Sequence, residues 1–145
     1  MSQNQKKRQQ SFGRLFQRVS RAHNGHMLEQ LAKFGHKDLT HFHTALITNL
    51  DREGNRISEL AERAGMSNQS MGQLVSELEQ RGYIQRKRDP QDGRAFLIHF
   101  SEQGLQLLQD ANQAKAQVEA DYATSIGDAG LLELRRLLEA LLEAS

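Results

Sequence analysis

The stretch ISELAERAGMSNQSMGQLVSELEQRGY, Ile57 to Tyr83, decides the fold. Ile57, Leu60, Ala61 and Ala64 give one helix a short apolar face, and Met71, Leu74, Val75 and Leu78 give a second helix another. Both follow the three-and-four spacing of an amphipathic helix. Between them stands Gly65-Met66-Ser67. Gly65 can take the left-handed backbone that stops a helix, and Ser67 can cap the next by accepting a hydrogen bond from a backbone N–H in its first turn. The second helix ends at Arg81-Gly82. Two helices joined by so short a break make a helix-turn-helix.

Beyond Gly82, the convincing strand candidates are Tyr83 to Arg86 and Ala95 to Phe100. The second of these shows partial alternation with β-branched and aromatic residues. The single proline of the chain, Pro90, lies between them with Asp89, Asp92 and Gly93, so the connection is a turn and the pair a hairpin. On the N-terminal side, Phe12, Leu15, Phe16, Val19, Ala22, Met27, Leu31 and Phe34 mark one face of a long helix that Gly35 ends. A shorter helix over about Leu39 to Leu50 carries Phe42, Leu46 and Leu50 on one stripe. On the C-terminal side, Leu105, Leu108, Ala111, Ala114, Val118 and Tyr122 form a stripe that Ile126-Gly127-Asp128 breaks. A last helix holds Leu131, Leu132, Leu134, Leu137, Leu138, Leu141 and Leu142. So many leucines cover more than one stripe of its circumference, and it needs partners on more than one side. The expected fold is mainly α with a small β-hairpin wing (α+β), a winged helix-turn-helix between terminal helices.

A chain of 145 residues, 37% hydrophobic and 26% charged, has the size and composition of one domain, or of a small domain with helical extensions. No apolar run reaches the roughly 18 residues that span a bilayer, and no apolar segment follows the basic N-terminus. The sequence therefore reads as cytoplasmic, with no membrane partner. Without cysteine, disulfide scaffolds, cysteine-ligated zinc and thiol chemistry are excluded. The net charge of +1 hides an asymmetry: residues 1–37 carry eight Lys/Arg against one Glu, and residues 95–145 three against eight Asp/Glu. A basic end permits a polyanionic partner as readily as it describes a solvated helix with a charged tail.

An α-helix fits the major groove of B-DNA, and a thin hairpin can reach a neighbouring minor groove. The solvent side of the second helix begins Ser67, Asn68, Gln69, Ser70, with Gln73 one turn after Gln69. Asn and Gln can make paired hydrogen bonds to the N6/N7 edge of adenine, and Ser can contact bases or phosphates. In isolation such residues describe a neutral solvated surface; before a basic hairpin they become candidate base contacts. The face holds no arginine until Arg81, so positive charge must come from elsewhere. Arg86, Lys87 and Arg88 suit phosphates or the base of the hairpin, which give affinity and register without sequence information. Gly72, inside this helix, costs roughly 1 kcal/mol relative to alanine and suggests a close approach to DNA or to the preceding helix.

The segment Ile57 to Gly104 resembles the DNA-binding core of the MarR family of bacterial transcription regulators. The resemblance rests on Leu60-Ala61-Glu62-Arg63, Leu78-Glu79-Gln80-Arg81-Gly82-Tyr83-Ile84, Arg86, Asp89-Pro90-Gln91-Asp92-Gly93-Arg94 and Phe100-Ser101-Glu102-Gln103-Gly104. It implies an Asp-x-Arg wing in which Arg94 approaches the minor groove while Asp92 stabilises the hairpin. The negative potential of a narrow minor groove favours a guanidinium independently. The resemblance also implies a homodimer held by both chain ends, which would occupy the surplus apolar surface around Leu131 to Leu142. The domains are then an N-terminal dimerisation helix over residues 1–36, a winged helix-turn-helix over 37–100 and C-terminal dimerisation helices over 101–145. Two half-sites about one helical turn apart would form a pseudo-palindromic operator on double-stranded DNA.

Family members are often repressors released from DNA by a small aromatic or phenolic effector, and the resemblance implies the same here without naming a residue. No cofactor is implied. His23 and His26, and His36, His41 and His43, are the raw material for a metal site, but surface or partly buried histidines suit segments so poor in acidic neighbours. A metal-responsive regulator and a winged-helix protein-interaction module are the alternative readings. An enzyme is not expected, because no nucleophile motif accompanies the histidines.

Overall fold

The computed structural model describes residues 1–145, the side chain of Gln9 excepted. Its elements run α1 (Gln3–Gln9), α2 (Phe12–Lys33), α3 (His41–Asn49), α4 (Ile57–Ala64), α5 (Asn68–Gln80), β1 (Ile84–Asp89), β2 (Asp92–Phe100), α6 (Glu102–Ile126) and α7 (Asp128–Glu143). The mainly α expectation with a hairpin wing holds. Helix α1, capped by Ser2, is an addition that polar composition did not signal. Residues Leu31–Ala111 form one compact unit, and Met1–Gln30 with Asn112–Ser145 form another. The divisions fall inside α2 and α6 because Leu31, His36, Leu107 and Asp110 are buried within the winged unit.

The helix-turn-helix forms as its residues dictate. After α4, Gly65 takes φ 65°, the Met66 N–H donates to the Ala61 carbonyl, and the Gly65 N–H donates to that of Glu62. This hydrogen-bond pair ends a helix on a left-handed residue, which glycine occupies without a Cβ penalty. The Ser67 hydroxyl then accepts from the Ser70 N–H at 3.1 Å and starts α5. Met71, Val75 and Leu78 are buried, together with Leu60, Ala61, Leu46, Ile47 and Ile98. Leu74 is only half-buried. The residue of the predicted α3 stripe that departs most is Phe42, which lies exposed. On α6 the buried stripe runs through Leu107, Ala114 and Val118, while Leu105 faces solvent. The apolar positions were one residue out at the start of that stripe.

Strands β1 and β2 pair antiparallel from Ile84↔Phe100 to Arg88↔Phe96, and Asp89 pairs with Asp92. The turn is therefore only Pro90-Gln91, tighter than the sequence suggested, and the strands extend further into it. A third contact, Asn55↔Ile98, gives β2 a partner on its other edge. The Asn55 N–H donates to the Ile98 carbonyl at 3.1 Å, and the Ile98 N–H to the Asn55 carbonyl at 2.7 Å.

The second unit leaves its apolar faces uncovered. Phe12, Leu15, Phe16 and Val19 on α2 are exposed, as are Leu132, Leu134, Leu137, Leu138, Leu141 and Leu142 on α7. Leu142 is 76% exposed, and α7 buries no residue.

Two glycines give opposite expectations. A Cβ on Gly104 would collide with the Tyr83 carbonyl, whereas one on Gly72 meets nothing within 4 Å; the preceding helix therefore does not require Gly72. Gly104→Ala should lower the urea-unfolding free energy by about 1–3 kcal/mol through overpacking. Gly72→Ala should raise it by about 0.5–1 kcal/mol through helix propensity.

Candidate nucleic-acid interface

Along α5 the residues picked out from sequence divide by what their side chains already hold. Ser67, Asn68, Gln69, Ser70 and Gln73 are all exposed. Ser67 and Ser70 are tied into the helix start: the Ser67 hydroxyl donates to that of Ser70 at 3.0 Å while accepting from its N–H. Gln73 lies 3.4 Å from the Glu77 carboxylate. Asn68 and Gln69 carry the amides without an intramolecular partner among the described residues, so their donor-acceptor pairs stand open to an outside ligand.

The wing is braced from below and bent at its tip. Between Arg88 and Asp89 the register slips, so that Gly93, Arg94 and Ala95 of β2 bulge opposite a single step of β1. Bulges bend a strand and re-aim its side chains. The Arg88 guanidinium donates to the Gly93 carbonyl across the bulge and lies 5.3 Å from the centre of the Phe96 ring, a cation–π distance. Asp92 accepts from the Arg94 N–H at 3.1 Å. It thus fixes the backbone that carries Arg94 and leaves the guanidinium alone. The guanidinium of Arg94 and the ammonium of Lys87 meet no carboxylate among the described residues.

The main anchor of the wing is a residue that its own segment does not mark. Arg56, just before α4, donates through Nη2 to Asp89 Oδ2 at 2.9 Å and through Nε at 3.3 Å. The Gln91 N–H donates to the other Asp89 oxygen at 2.9 Å. This N–H and then the Arg56 guanidinium hold the buried Asp89 carboxyl below the ordinary carboxylate range. Arg86 is also engaged inside the unit: it reaches back to α5, to Ser76 Oγ at 3.0 Å and Glu79 Oε1 at 3.3 Å. Within the basic tripeptide, Arg86 and Arg88 hold the base and tip of the hairpin, and Lys87 lies exposed.

Two histidines set α5 behind this face. The His36 ring bridges Asp110 Oδ2 at 2.6 Å and the Tyr83 hydroxyl at 2.9 Å, all three residues buried. A carboxylate only accepts, so His36 Nε2 carries the proton toward Asp110. The His36 hydrogen bond is the chief cause that holds the Asp110 carboxyl below its usual range, and burial pushes the Tyr83 phenol up. His43, 2% exposed, accepts the Thr40 N–H at Nδ1 (3.0 Å) and meets Glu77 Oε2 through Nε2 at 2.6 Å. This last hydrogen bond is the chief cause that holds the Glu77 carboxyl below its ordinary range, and it ties α3 to α5. In the other unit, His23 Nδ1 lies 2.8 Å from the Tyr122 hydroxyl, with the His26 ring beside it. His41 stacks at 4.0 Å on Phe42. Among the described residues no three His, Asp or Glu side chains gather in a group that could hold a metal ion, and no helix is long and apolar enough to cross a membrane.

This architecture has named counterparts. The MarR family model matches residues 37–95. A transcriptional regulatory protein for the hcr operon of Thauera aromatica is 31% identical over 84 residues, which is 58% of this chain. The match spans about half, 51%, of that relative's length. Among solved structures, CouR of Rhodococcus jostii RHA1, bound to p-coumaroyl-CoA, is 27% identical with a TM-score of 0.70, covering 91% of this chain and 92% of its own. A MarR-family transcriptional regulator of Rhodococcus sp. RHA1 is 25% identical with a TM-score of 0.72, covering 94% and 98%.

The buried His36–Asp110 contact predicts a pH signature. A carboxyl whose folded pKa is depressed stabilises the fold above its unfolded pKa, about 4, and loses that contribution as pH falls through the folded value. Asp110→Asn should be less stable than wild type at neutral pH. The gap, read from urea midpoints in a pH series, should close below about pH 4; a gap that persists into acid would assign the loss to packing instead.

Proposed function

We propose that the chain is a transcriptional regulator of the MarR family, whose model matches residues 37–95, and that it binds a pseudo-palindromic operator on double-stranded DNA as a homodimer. In this reading α5 enters the major groove and the wing lies at the minor groove. The single observation that carries it is the pairing of two open features on one unit: the unpartnered amides of Asn68 and Gln69 at the start of α5, and the Arg94 guanidinium on a bulged, braced wing. Amides can identify adenine, and a guanidinium in a narrow groove reads shape and charge. Ser67 and Ser70 then serve first as the cap that aims the helix, with Gln73 a second amide along the same face. Asp92 presents Arg94, and Lys87 supplies phosphate contact. Arg86 and Arg88 act through the hairpin they hold.

The homodimer is supported by the exposed leucines of α7 and the exposed Phe12, Leu15, Phe16 and Val19 of α2, more apolar surface than a monomer leaves in water. The regulator works in the bacterial cytoplasm as a repressor relieved by a small aromatic or phenolic effector. CouR, 27% identical over almost the whole chain, was solved with p-coumaroyl-CoA, and a phenolic acyl group is the first effector class to test. Members of this family are transcription regulators, not enzymes.

Binding to a panel of base-substituted duplexes, recovered first by selection from random DNA, separates the roles. Gln69→Ala should cost about 1–3 kcal/mol at particular base pairs and relax preference there, whereas Arg94→Ala should weaken binding to most sequences alike. If neither change weakens binding, the regulator reading is wrong.

A further inference from the structure

We infer that the basic stripe at the start of α2, together with the last turn of α1, is a second DNA-backbone contact. It lies outside the winged unit and rests on the DNA-binding reading above. Between Lys6 and Arg21 the chain carries Lys6, Lys7, Arg8, Arg14, Arg18 and Arg21, and no acidic residue occurs before Glu29. All six cations are exposed, and among the described residues none pairs with a carboxylate. Of the nine arginines after Arg21, five, namely Arg56, Arg63, Arg86, Arg135 and Arg136, each hold an Asp or Glu, whereas in this stripe none does.

The arrangement also runs against helix electrostatics. Arg14 and Arg18 are like charges at i, i+4, which repel along a helix. Arg14 also stands in the first turn of α2, which holds no acidic residue and where the helix dipole disfavours a cation. Local conflicts of this kind mark sites at which an outside partner supplies the compensation. Arg14, Arg18 and Arg21 share one side of the helix at i, i+4, i+7. Phe12, Leu15, Phe16 and Val19 share the opposite side, so the stripe is separate from the apolar seam. Where α1 meets α2, Arg8 and Arg14 line one cleft with Met1 and Gln5, and Lys7 and Arg8 line another with Asn4 and Ser11. Each cleft offers two cations to one anion.

The anion that fits a row of cations along one helix side is a phosphate backbone. A membrane-surface helix also sets basic residues opposite an apolar side, but it must bury that apolar side in lipid; in the homodimer reading Phe12, Leu15, Phe16 and Val19 are covered by the second copy, which leaves the arginine side for a polyanion in water.

The test is the salt dependence of binding of the full chain to the selected duplex. The triple variant R14A/R18A/R21A keeps good helix formers and should bind more weakly, with the slope of log K against log salt shallower by about 2.7 per chain engaged, about 0.9 for each phosphate no longer neutralised. Base preference and sedimentation behaviour should not change. The single variants Arg14→Ala and Arg18→Ala should each remove about 0.9, and the triple lysine variant should retain the slope, because a point charge suffices for phosphate. An unchanged slope in the alanine triple, a shift to monomers with the slope intact, or arginine-dependent capture by phosphatidylserine vesicles in its place would overturn the inference while leaving the wing and α5 reading in force. Wild-type protein that binds no duplex would overturn both.

Discussion

The hydrogen bonds that radiate from Tyr83 hold the recognition helix to everything that positions it. Its N–H donates to the Leu78 carbonyl at the end of α5, and its carbonyl accepts from the Ser101 N–H at the start of α6. Its hydroxyl meets His36 past the end of α2, and His36 meets Asp110 on α6. Gly104 is the residue that lets α6 approach the same carbonyl. Leu78, Tyr83, His36 and Asp110 are buried and Ser101 is half-buried; an unmade hydrogen bond in such a place costs far more than a made one gains, so the junction tolerates little play. Through it the ends of α2, α5 and α6 and the first strand of the wing become one rigid piece. A recognition helix needs such a frame, because base-edge hydrogen bonds are lost with small errors of aim.

On that frame, charge is divided by purpose. Helix α5 offers amides and carries Glu77 and Glu79 further along, which would make it a poor polyanion ligand alone. Positive charge is displaced to the wing, where Asp89, Asp92, Arg56 and Arg88 are spent on shape and leave Lys87 and Arg94 facing outward, and to the first helices of the chain. In the proposed DNA-binding reading, sequence discrimination and electrostatic grip would rest on different elements, so that one could change without loss of the other.

Much of this was legible in the residues. The helix-turn-helix could be read because its signals are local: Gly65 stops a helix and Ser67 caps the next within three residues. Pro90 gave the turn, and the surplus of leucines in α7 pointed to apolar surface that the chain's own core does not cover. What escaped were contacts between residues far apart in sequence. Arg56 and Asp89 stand on opposite sides of the helix-turn-helix, and neither looks unusual in its own segment. His36 reads as a loop residue until Asp110 and Tyr83 are brought to it. Leu107 lies buried where the predicted stripe had its neighbour Leu108, because periodicity fixes a face only to within a residue where Ser101 sets the phase of the helix. Helix α1 has no apolar stripe, and its start depends on the Ser2 cap. The α5 residues singled out by position all lie exposed, but the structure divides them into caps and open amides, a difference in hydrogen bonding that spacing does not carry.

The central claim is that two copies of this chain place two amide faces and two wings on one duplex. A hydroxyl-radical footprint on a selected duplex tests it most directly. Two protected stretches related by a dyad are expected, their centres about one helical turn (~34 Å) apart on one side of the DNA, each flanked by minor-groove protection that disappears in Arg94→Ala. A single protected stretch, or protection unaffected by Arg94→Ala, would contradict the claim.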